Sequence, residues 1–222
     1  MSEHPHHHPL VQSTHEDDPG PGPALHEAVG GPLGIAESAA PAVVFVIAYS
    51  IAGQTATTSA IIAAAIGVLF AIGRIARKET VQFALAGIGG LALSAFVVSR
   101  TGKAEDFFLP GLLLNAGYAL GYLISIIVRW PLIGVIVETA TGRGTEWRED
   151  PDRMSRYSKA SWIWVGLFSL RLLVQVPLYL AGAVFALGIA KTAMGVPLFA
   201  VGIYLSWLLI RTPPVSAAPA RP

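Results

Sequence analysis

Long apolar stretches separated by short polar clusters fill most of this chain. Between residues 35 and 211 the apolar runs are about 17 to 22 residues long, and each ends at a small group of charged side chains. An α-helix needs roughly 20 apolar residues to cross the hydrocarbon core of a bilayer. The pattern therefore predicts an all-α, polytopic membrane helix bundle with about six transmembrane helices, for which the lipid bilayer is the solvent.

The six predicted spans differ in how clearly they end. Arg129, Trp130 and Pro131 interrupt the fourth span, because proline lacks a backbone donor and restricts the residue before it. Residues 132–137 are then too short to cross, and residues 181–190 are also ambiguous, so five or seven spans stay open. The predicted spans are residues 35–52, 56–72, 80–99 and 107–128, a fifth that begins near residue 161, and residues 193–210.

The two ends of the chain have a different composition. Residues 1–34 are rich in His, Pro and acidic residues, and residues 212–222 are rich in Pro and Ala. Neither segment can bury enough apolar surface to offset its ordering entropy, so both are predicted to be disordered tails of a membrane domain at residues 35–211. The N-terminal histidines lack carboxylate or thiolate partners at fixed geometry, and no specific metal site is predicted.

Composition narrows the classes of function. The chain is 53% hydrophobic and only 13% charged, which excludes an ordinary soluble domain, and it has no cysteine for disulfide, thiolate or iron–sulfur chemistry. All six histidines precede the first span, and no phosphate-binding glycine loop is present, so no Ser/His/Asp set or nucleotide site can be assembled. We therefore expect no enzyme activity, no cofactor and no nucleic-acid partner.

The basic residues give the predicted spans a direction. If the first span leaves the cytoplasm, eleven of the fifteen Lys and Arg residues fall on the cytoplasmic side, Arg100, Lys103 and Lys191 fall outside, and Arg171 lies within a span. Cytoplasmic loops of membrane proteins carry an excess of Lys and Arg. The sequence thus predicts a multi-pass protein of the cytoplasmic (inner) membrane with both termini in the cytoplasm.

Two charged residues lie inside predicted spans. Arg171 is about nine residues past Trp162, or roughly 14 Å along a helix, and therefore close to the bilayer midplane. A charge at that depth costs about 3 kcal/mol and needs a partner or a water-filled cavity, so Glu37 is its expected partner. In the alternative interpretation, Glu37 occupies a favourable first-turn position and Arg171 bonds free carbonyl groups near Pro177.

Three amide side chains, Gln82, Asn115 and Gln175, are predicted at similar depths. Together with Glu37 and Arg171 they would line a path for a substrate or an ion. Taken singly, each also fits an inter-helix hydrogen bond worth about 0.6 kcal/mol.

A polar loop at residues 138–159 carries a cluster of basic side chains. Such a cluster beside a transmembrane helix is typical of segments that bind anionic lipid headgroups or a partner protein. The five basic residues of this loop are Arg143, Arg148, Arg153, Arg156 and Lys159. Small residues at four-residue spacing, among them Gly117 and Gly121, favour close helix packing within the chain or in a homo-oligomer.

Several strings of this sequence point to one family. They are Gly30-Gly31-Pro32-Leu33-Gly34 with Glu37 and Pro41, Asp106 to Gly111, Arg129 to Gly134, Trp147-Arg148 with Asp150-Pro151, and Trp162 to Arg171. On these, the chain resembles, over about residues 28–211, the actinobacterial membrane family known as domain of unknown function 3159. The resemblance implies a membrane protein but no particular activity. A fainter likeness to intracellular septation protein A, in the Pro-Leu-Ile-Gly and Trp-rich stretches, implies an envelope role.

Two functional hypotheses follow from the sequence. The first is a transporter or channel for a small solute or ion, in which Glu37 and Arg171 bind or gate and the three amides line the path. The second is an envelope or division scaffold whose basic loop binds a protein or anionic lipid. A polar cavity that reaches the midplane would favour the first, and a dry core the second.

Overall fold

The computed structural model describes residues 31–77 and 81–211, apart from the side chains of residues 31–36, 38, 74 and 81–86. Within these residues the chain is helical and contains no strand, which confirms the predicted all-α class. The helices are α1 (Gly31–Val46), α2 (Ala56–Ala76), α3 (Val81–Thr101), α4 (Leu109–Ile127), α5 (Leu132–Ala140), α6 (Pro151–Leu180), α7 (Val184–Ala193) and α8 (Val196–Ile210). A π-helical turn, Ile47–Ile51, extends α1, and 3-10 turns at Glu105–Phe108 and Glu146–Arg148 precede α4 and α6.

Short turns make consecutive long helices antiparallel. Gly53, Gly102 and Gly182 have φ values of +66°, +69° and +64°, a backbone conformation that glycine adopts without steric cost. The turns that contain these three glycines lie at one end of the bundle. The opposite end, which we call the arginine-rich end, carries the exposed or partly exposed side chains of Arg77, Arg129, Arg148, Arg153 and Arg211.

Two apolar clusters hold the bundle together. In the first, Phe45 of α1 stacks on Phe107 with ring centroids 4.0 Å apart, and both rings are fully buried with Leu187 of α7. In the second, Trp164 and Phe168 of α6 pack against Tyr122 of α4. Buried aromatic pairs of this kind contribute about 0.5–1.5 kcal/mol each beyond the area that they bury.

Much of the outer surface is apolar. Ile127, Leu173 and Leu180 each expose 70% or more of their side chains, as lipid-facing residues do. By length and composition, four described stretches can cross a membrane: Ala56–Gly73, Glu105–Ile127, Pro151–Leu180 and Val184–Ile210. Shorter apolar helical stretches occur at Ala39–Ile51 and Gly87–Thr101. Each of the six predicted spans falls on one of these helical segments, while the number of actual crossings stays a prediction.

The ambiguous segments are now placed. Pro131 precedes α5, a nine-residue helix of about 14 Å, which is too short to cross a bilayer, as predicted. Residues 181–190 contribute to a turn and to α7, which with α8 forms one apolar stretch of 27 residues. The last stretch that is long and apolar enough to cross a membrane therefore begins at Val184, earlier than the predicted residue 193. Of the predicted tails, residues 31–34 form the first turn of α1 and the rest lie outside the described residues.

Candidate functional site

The last apolar stretch is a broken helix. Helix α7 ends at Ala193, and α8 starts at Val196 after a turn at Met194 and Gly195. Gly195 and Pro197 interrupt the helix. Pro197, in the first turn of α8, cannot donate a backbone hydrogen bond, and the backbone of Gly195 adopts the non-helical angles φ −73° and ψ −110°. No side chain caps the start of α8. The free N–H groups at the start of α8 form the positive end of its helix dipole, and they lie within the apolar stretch Val184–Ile210.

Arg171 reaches this break from α6. Its Nη2 atom donates a hydrogen bond of 2.8 Å to the carbonyl oxygen of Gly195. Its Nε–H group is buried and has no hydrogen-bond partner among the described residues. Arg171 therefore fixes one end of the broken helix and still presents an unused donor.

Thr192 and Gln175 add two further polar side chains at the break. The Thr192 hydroxyl is buried and forms no hydrogen bond with a described residue. Gln175 lies one turn after Arg171, on the same face of α6. It is only 5% exposed, and its amide makes no hydrogen bond within the described part of the chain. An unsatisfied buried polar group costs about 1–3 kcal/mol, so the Arg171 Nε–H and the Thr192 hydroxyl together indicate a place that suits a polar ligand.

Lys191, in the last turn of α7, adds a second positive charge. Its ammonium group lies 5.8 Å from the ring centroid of Phe107 and 5.4 Å from that of Phe108. It also lies 4.0 Å from the position that a Cβ atom would take at Gly111. Asn115 donates a 2.8 Å hydrogen bond to the Gly111 carbonyl, so this amide serves its own helix. Among the described residues, no carboxylate forms an ion pair with Lys191 or Arg171.

Two helix ends meet at the break: the positive end of α8 and the negative end of α7, whose carbonyl groups at Lys191 and Thr192 lie beside Gly195. The group combines two cations, a hydroxyl, a carboxamide and the positive end of α8, without a described carboxylate to balance the charge. The two cationic side chains, neither of them in an ion pair with a described carboxylate, favour an anion at this place. We call this group the break site; it consists of Arg171, Gln175, Lys191, Thr192 and Gly195.

The structure corrects the predicted partnership of Glu37 with Arg171. Glu37 is buried near the start of α1 and accepts a 2.5 Å hydrogen bond from Nη2 of Arg77, at the end of α2. The cause is the hairpin of α1 and α2, which brings the two residues to the same end of the bundle. Arg171 does bond a carbonyl group, but that of Gly195 rather than one near Pro177.

The structure brings together some of the predicted path residues and separates others. Arg171 and Gln175 share the break site, Asn115 lies beside the Lys191 end of it, and Glu37 lies at the arginine-rich end. The side chain of Gln82 lies outside the described residues. Sequence reasoning missed Lys191 and Thr192, because it assigned Lys191 to an outer loop. The signal was present in the Lys-Thr-Ala-Met-Gly-Val-Pro string, a polar and Gly/Pro interruption inside an apolar run.

Four of the five basic residues of the predicted loop divide between two cavities. A cavity of about 250 Å³ includes Arg143, Arg153 and Arg156 in its lining, and a second of about 230 Å³ includes Arg148 together with Arg129. Arg148 also stacks over the ring of Trp130 at 4.2 Å. Lys159 is exposed and lines neither cavity.

Comparison with curated proteins and with solved structures gives no match. A family described as "Protein of unknown function (DUF3159)" matches residues 29–216. The match includes every described helix, the break site and both arginine-lined cavities. The chain therefore belongs to the DUF3159 family.

Proposed function

We propose that this protein is a transporter or channel for a small anion, and that the break site is where the anion binds. The observation that carries the proposal is the buried Nε–H of Arg171, an unused charged donor at the interruption of an apolar helix. Charged residues within membrane segments face a polar path or a partner, and no described carboxylate is paired with this one.

An anion bound at the break site would supply hydrogen-bond acceptors to buried donors that have no partner among the described residues. The guanidinium Nε–H and the Thr192 hydroxyl would gain an acceptor, and hydrogen bonds to charged groups contribute about 1.5–3 kcal/mol each. The half-helix α8 would add the positive end of its dipole, as broken helices do in known transporter folds. The Gln175 amide, one turn away, would give or accept a further bond.

Lys191 extends the proposed path towards the end opposite the arginine-rich end. Its ammonium group lies over Phe107 and Phe108, just before α4 begins. Near this end Tyr179 donates a 2.5 Å hydrogen bond to Asp106, so that carboxylate is already engaged. Lys191 would attract an anion from this side, and Arg171 would hold it at the break. The bias of basic residues favours the arginine-rich end as the cytoplasmic one, in the inner membrane, with both termini inside.

The test is anion flux into proteoliposomes that contain the full-length protein. We expect saturable uptake of at least one of chloride, nitrate and phosphate, and about a tenfold or larger loss in Arg171→Gln, because the variant removes the charge at the binding point. Arg171→Lys should retain part of the flux, since it keeps the charge but not the planar donor fork. Arg100→Gln is the matched control, because Arg100 is exposed at the end of α3, over Phe96.

A second variant separates function from folding. Thr192→Val replaces a hydroxyl that has no partner among the described residues with a methyl group of similar size. We expect unchanged or slightly increased thermal stability, because a buried unsatisfied group is removed, together with a higher KM for the anion. Flux that is the same in wild type, Arg171→Gln and Thr192→Val would contradict the proposal. So would uptake no faster than in protein-free vesicles.

A further inference from the structure

The larger arginine-lined cavity lies where three elements of the arginine-rich end meet. Helix α5 contributes one wall, the first two turns of α6 a second, and the last residue of α8 the third. Its volume is about 250 Å³, enough for a phosphodiester and the glycerol unit attached to it. The lining residues are Val137, Arg143, Arg153, Arg156, Tyr157 and Ile210.

A buried acidic residue orders the side chains of this cavity. Glu138 is only 1% exposed and accepts a 2.5 Å hydrogen bond from the Tyr157 hydroxyl. The same oxygen accepts from Nη1 of Arg153 at 3.5 Å, and Arg153 also lies 3.5 Å from a carboxylate oxygen of Asp150. Two carboxylates therefore hold Arg153 in place. Arg143 makes no ion pair with a described residue, and its guanidinium is exposed at the rim.

The position of the cavity fits the boundary between lipid and water. Ile210 ends α8, and Arg211 stacks over Trp207 at 4.6 Å, an arrangement typical of the membrane interface. Val137 and Ile210 make part of the wall apolar, while the arginines make the rest basic. A lipid headgroup presents the same combination of a phosphate and apolar carbons.

We propose that this cavity binds the phosphate of an anionic phospholipid headgroup. Arginine is suited to this role because its planar donor fork matches two phosphate oxygens, and basic pockets among transmembrane helices are known sites for such headgroups. A free phosphate ion has the same chemistry and is the other source that the test distinguishes.

This site is separate from the break site. Arg156 and Arg171 lie on one helix fifteen residues apart, or about 22 Å along its axis. Loss of headgroup binding would therefore leave anion binding at the break site intact, and the converse also holds.

Native mass spectrometry of the full-length protein tests the proposal. The protein in detergent is titrated with phosphatidylglycerol, with phosphatidylcholine as the zwitterionic comparison, and separately with inorganic phosphate. Two arginine variants are compared with the wild type: Arg143→Gln, which changes an exposed side chain, and the double variant Arg143→Gln/Arg153→Gln. Lys159→Gln is the matched control, because it removes one positive charge from α6 without touching the cavity.

We expect phosphatidylglycerol to bind in preference to phosphatidylcholine, with about a tenfold loss of affinity in the double variant, a smaller loss in Arg143→Gln, and no change in Lys159→Gln. Binding of inorganic phosphate that is lost in the arginine variants, without preference for phosphatidylglycerol, would overturn the lipid as the source. Equal losses in Lys159→Gln and Arg143→Gln would show a diffuse surface charge effect and overturn the site itself. Undiminished lipid binding in Arg143→Gln and the double variant would do so too.

Discussion

Single polar residues in this bundle fall into two groups. Some have well-formed partners: Trp164 donates a 3.0 Å hydrogen bond to Ser206, and Tyr179 donates to Asp106. Others, such as the Nε–H of Arg171 and the Thr192 hydroxyl, have none among the described residues. Two of the three buried polar atoms without a described partner therefore lie at the break site, and the third is Oε2 of Glu138 at the arginine-rich end.

The ion pair of Glu37 and Arg77 gives a prediction at the residue scale. Glu37→Gln and Arg77→Gln should each lower the thermal stability of the detergent-solubilised protein, and the double variant should lose less than the sum. We expect a coupling free energy of about 0.5–1 kcal/mol, because 41% of the Arg77 side chain is exposed to screening. The cycle of Glu37→Gln with Arg171→Gln serves as the control and should be additive. Strong coupling in that control would restore the pairing that the sequence suggested.

The sequence predicted which residues are unusual but not which residues meet. Arg171 and Gln175 could be identified because a charge and an amide interrupt an apolar run on one helix face. The partners could not, since the Glu37–Arg77 contact joins residues 40 positions apart and the Arg171–Gly195 contact joins residues 24 apart. Such contacts depend on the order and spacing of the helices, which hydropathy alone does not encode.

At the scale of elements, glycines set how closely helices approach. A Cβ atom at Gly188 of α7 would lie 2.3 Å from Cγ2 of Val46 in α1. A Cβ atom at Gly134 of α5 would lie 2.9 Å from atoms of Trp147 and Tyr157. These two positions differ from Gly117 and Gly121 of α4, where the described structure leaves open space. The sequence pattern predicted that small residues at four-residue spacing are packing positions. Spacing alone does not show which of these residues contact another helix.

Replacement of Gly188 tests the contact between α1 and α7. Gly188→Ala should destabilise the protein by about 1–3 kcal/mol, because Val46 is buried and has little room to move. Gly166→Ala in α6, where nothing lies within 4 Å, should instead stabilise by up to about 1 kcal/mol through helix propensity. Thermal denaturation in detergent measures both changes. Rescue of Gly188→Ala by Val46→Ala would identify the clash, and an unchanged melting temperature in Gly188→Ala would contradict this packing.

Some helix boundaries were predicted correctly from the sequence, and others were not. The sequence correctly predicted an interruption at Arg129 to Pro131: α4 ends at Ile127, and Arg129 adopts a positive φ of 59°. It did not predict the early start of the last apolar stretch, because the polar residues near Lys191 divide Val184–Ile210 into two short runs. In the structure, the two short helices α7 and α8 both pack against α6.

For the whole molecule, the antiparallel order of the long helices collects charge at one end. Arg77, Arg129, Arg153 and Arg211 come from different parts of the chain, yet all lie at the arginine-rich end. The predicted orientation, the membrane and the direction of insertion all stay predictions. The scaffold hypothesis also stays a prediction, and the arginine-lined cavities are the surface on which it would depend.

Single-cysteine labelling tests this orientation. Because the sequence contains no cysteine, an introduced cysteine is the only thiol that can be labelled. Thr145→Cys places an exposed thiol at the arginine-rich end, and Gln54→Cys places one in the turn at the other end. In intact cells we expect a membrane-impermeant maleimide to label Gln54→Cys but not Thr145→Cys, and to label both after permeabilisation. The reverse pattern would show that the arginine-rich end faces outward.

Anion-dependent thermal stability of the purified protein tests most directly the claim that the break site binds an anion. Chloride, nitrate or phosphate would be titrated against gluconate at constant ionic strength, in wild type, Arg171→Gln and Arg100→Gln. A ligand at one hundred times its Kd stabilises the folded state by about 2.7 kcal/mol. We predict a saturable rise in melting temperature with at least one of the three anions for wild type and Arg100→Gln, and none for Arg171→Gln. No rise in the wild type, or the same rise in Arg171→Gln, would contradict an anion site at the helix break.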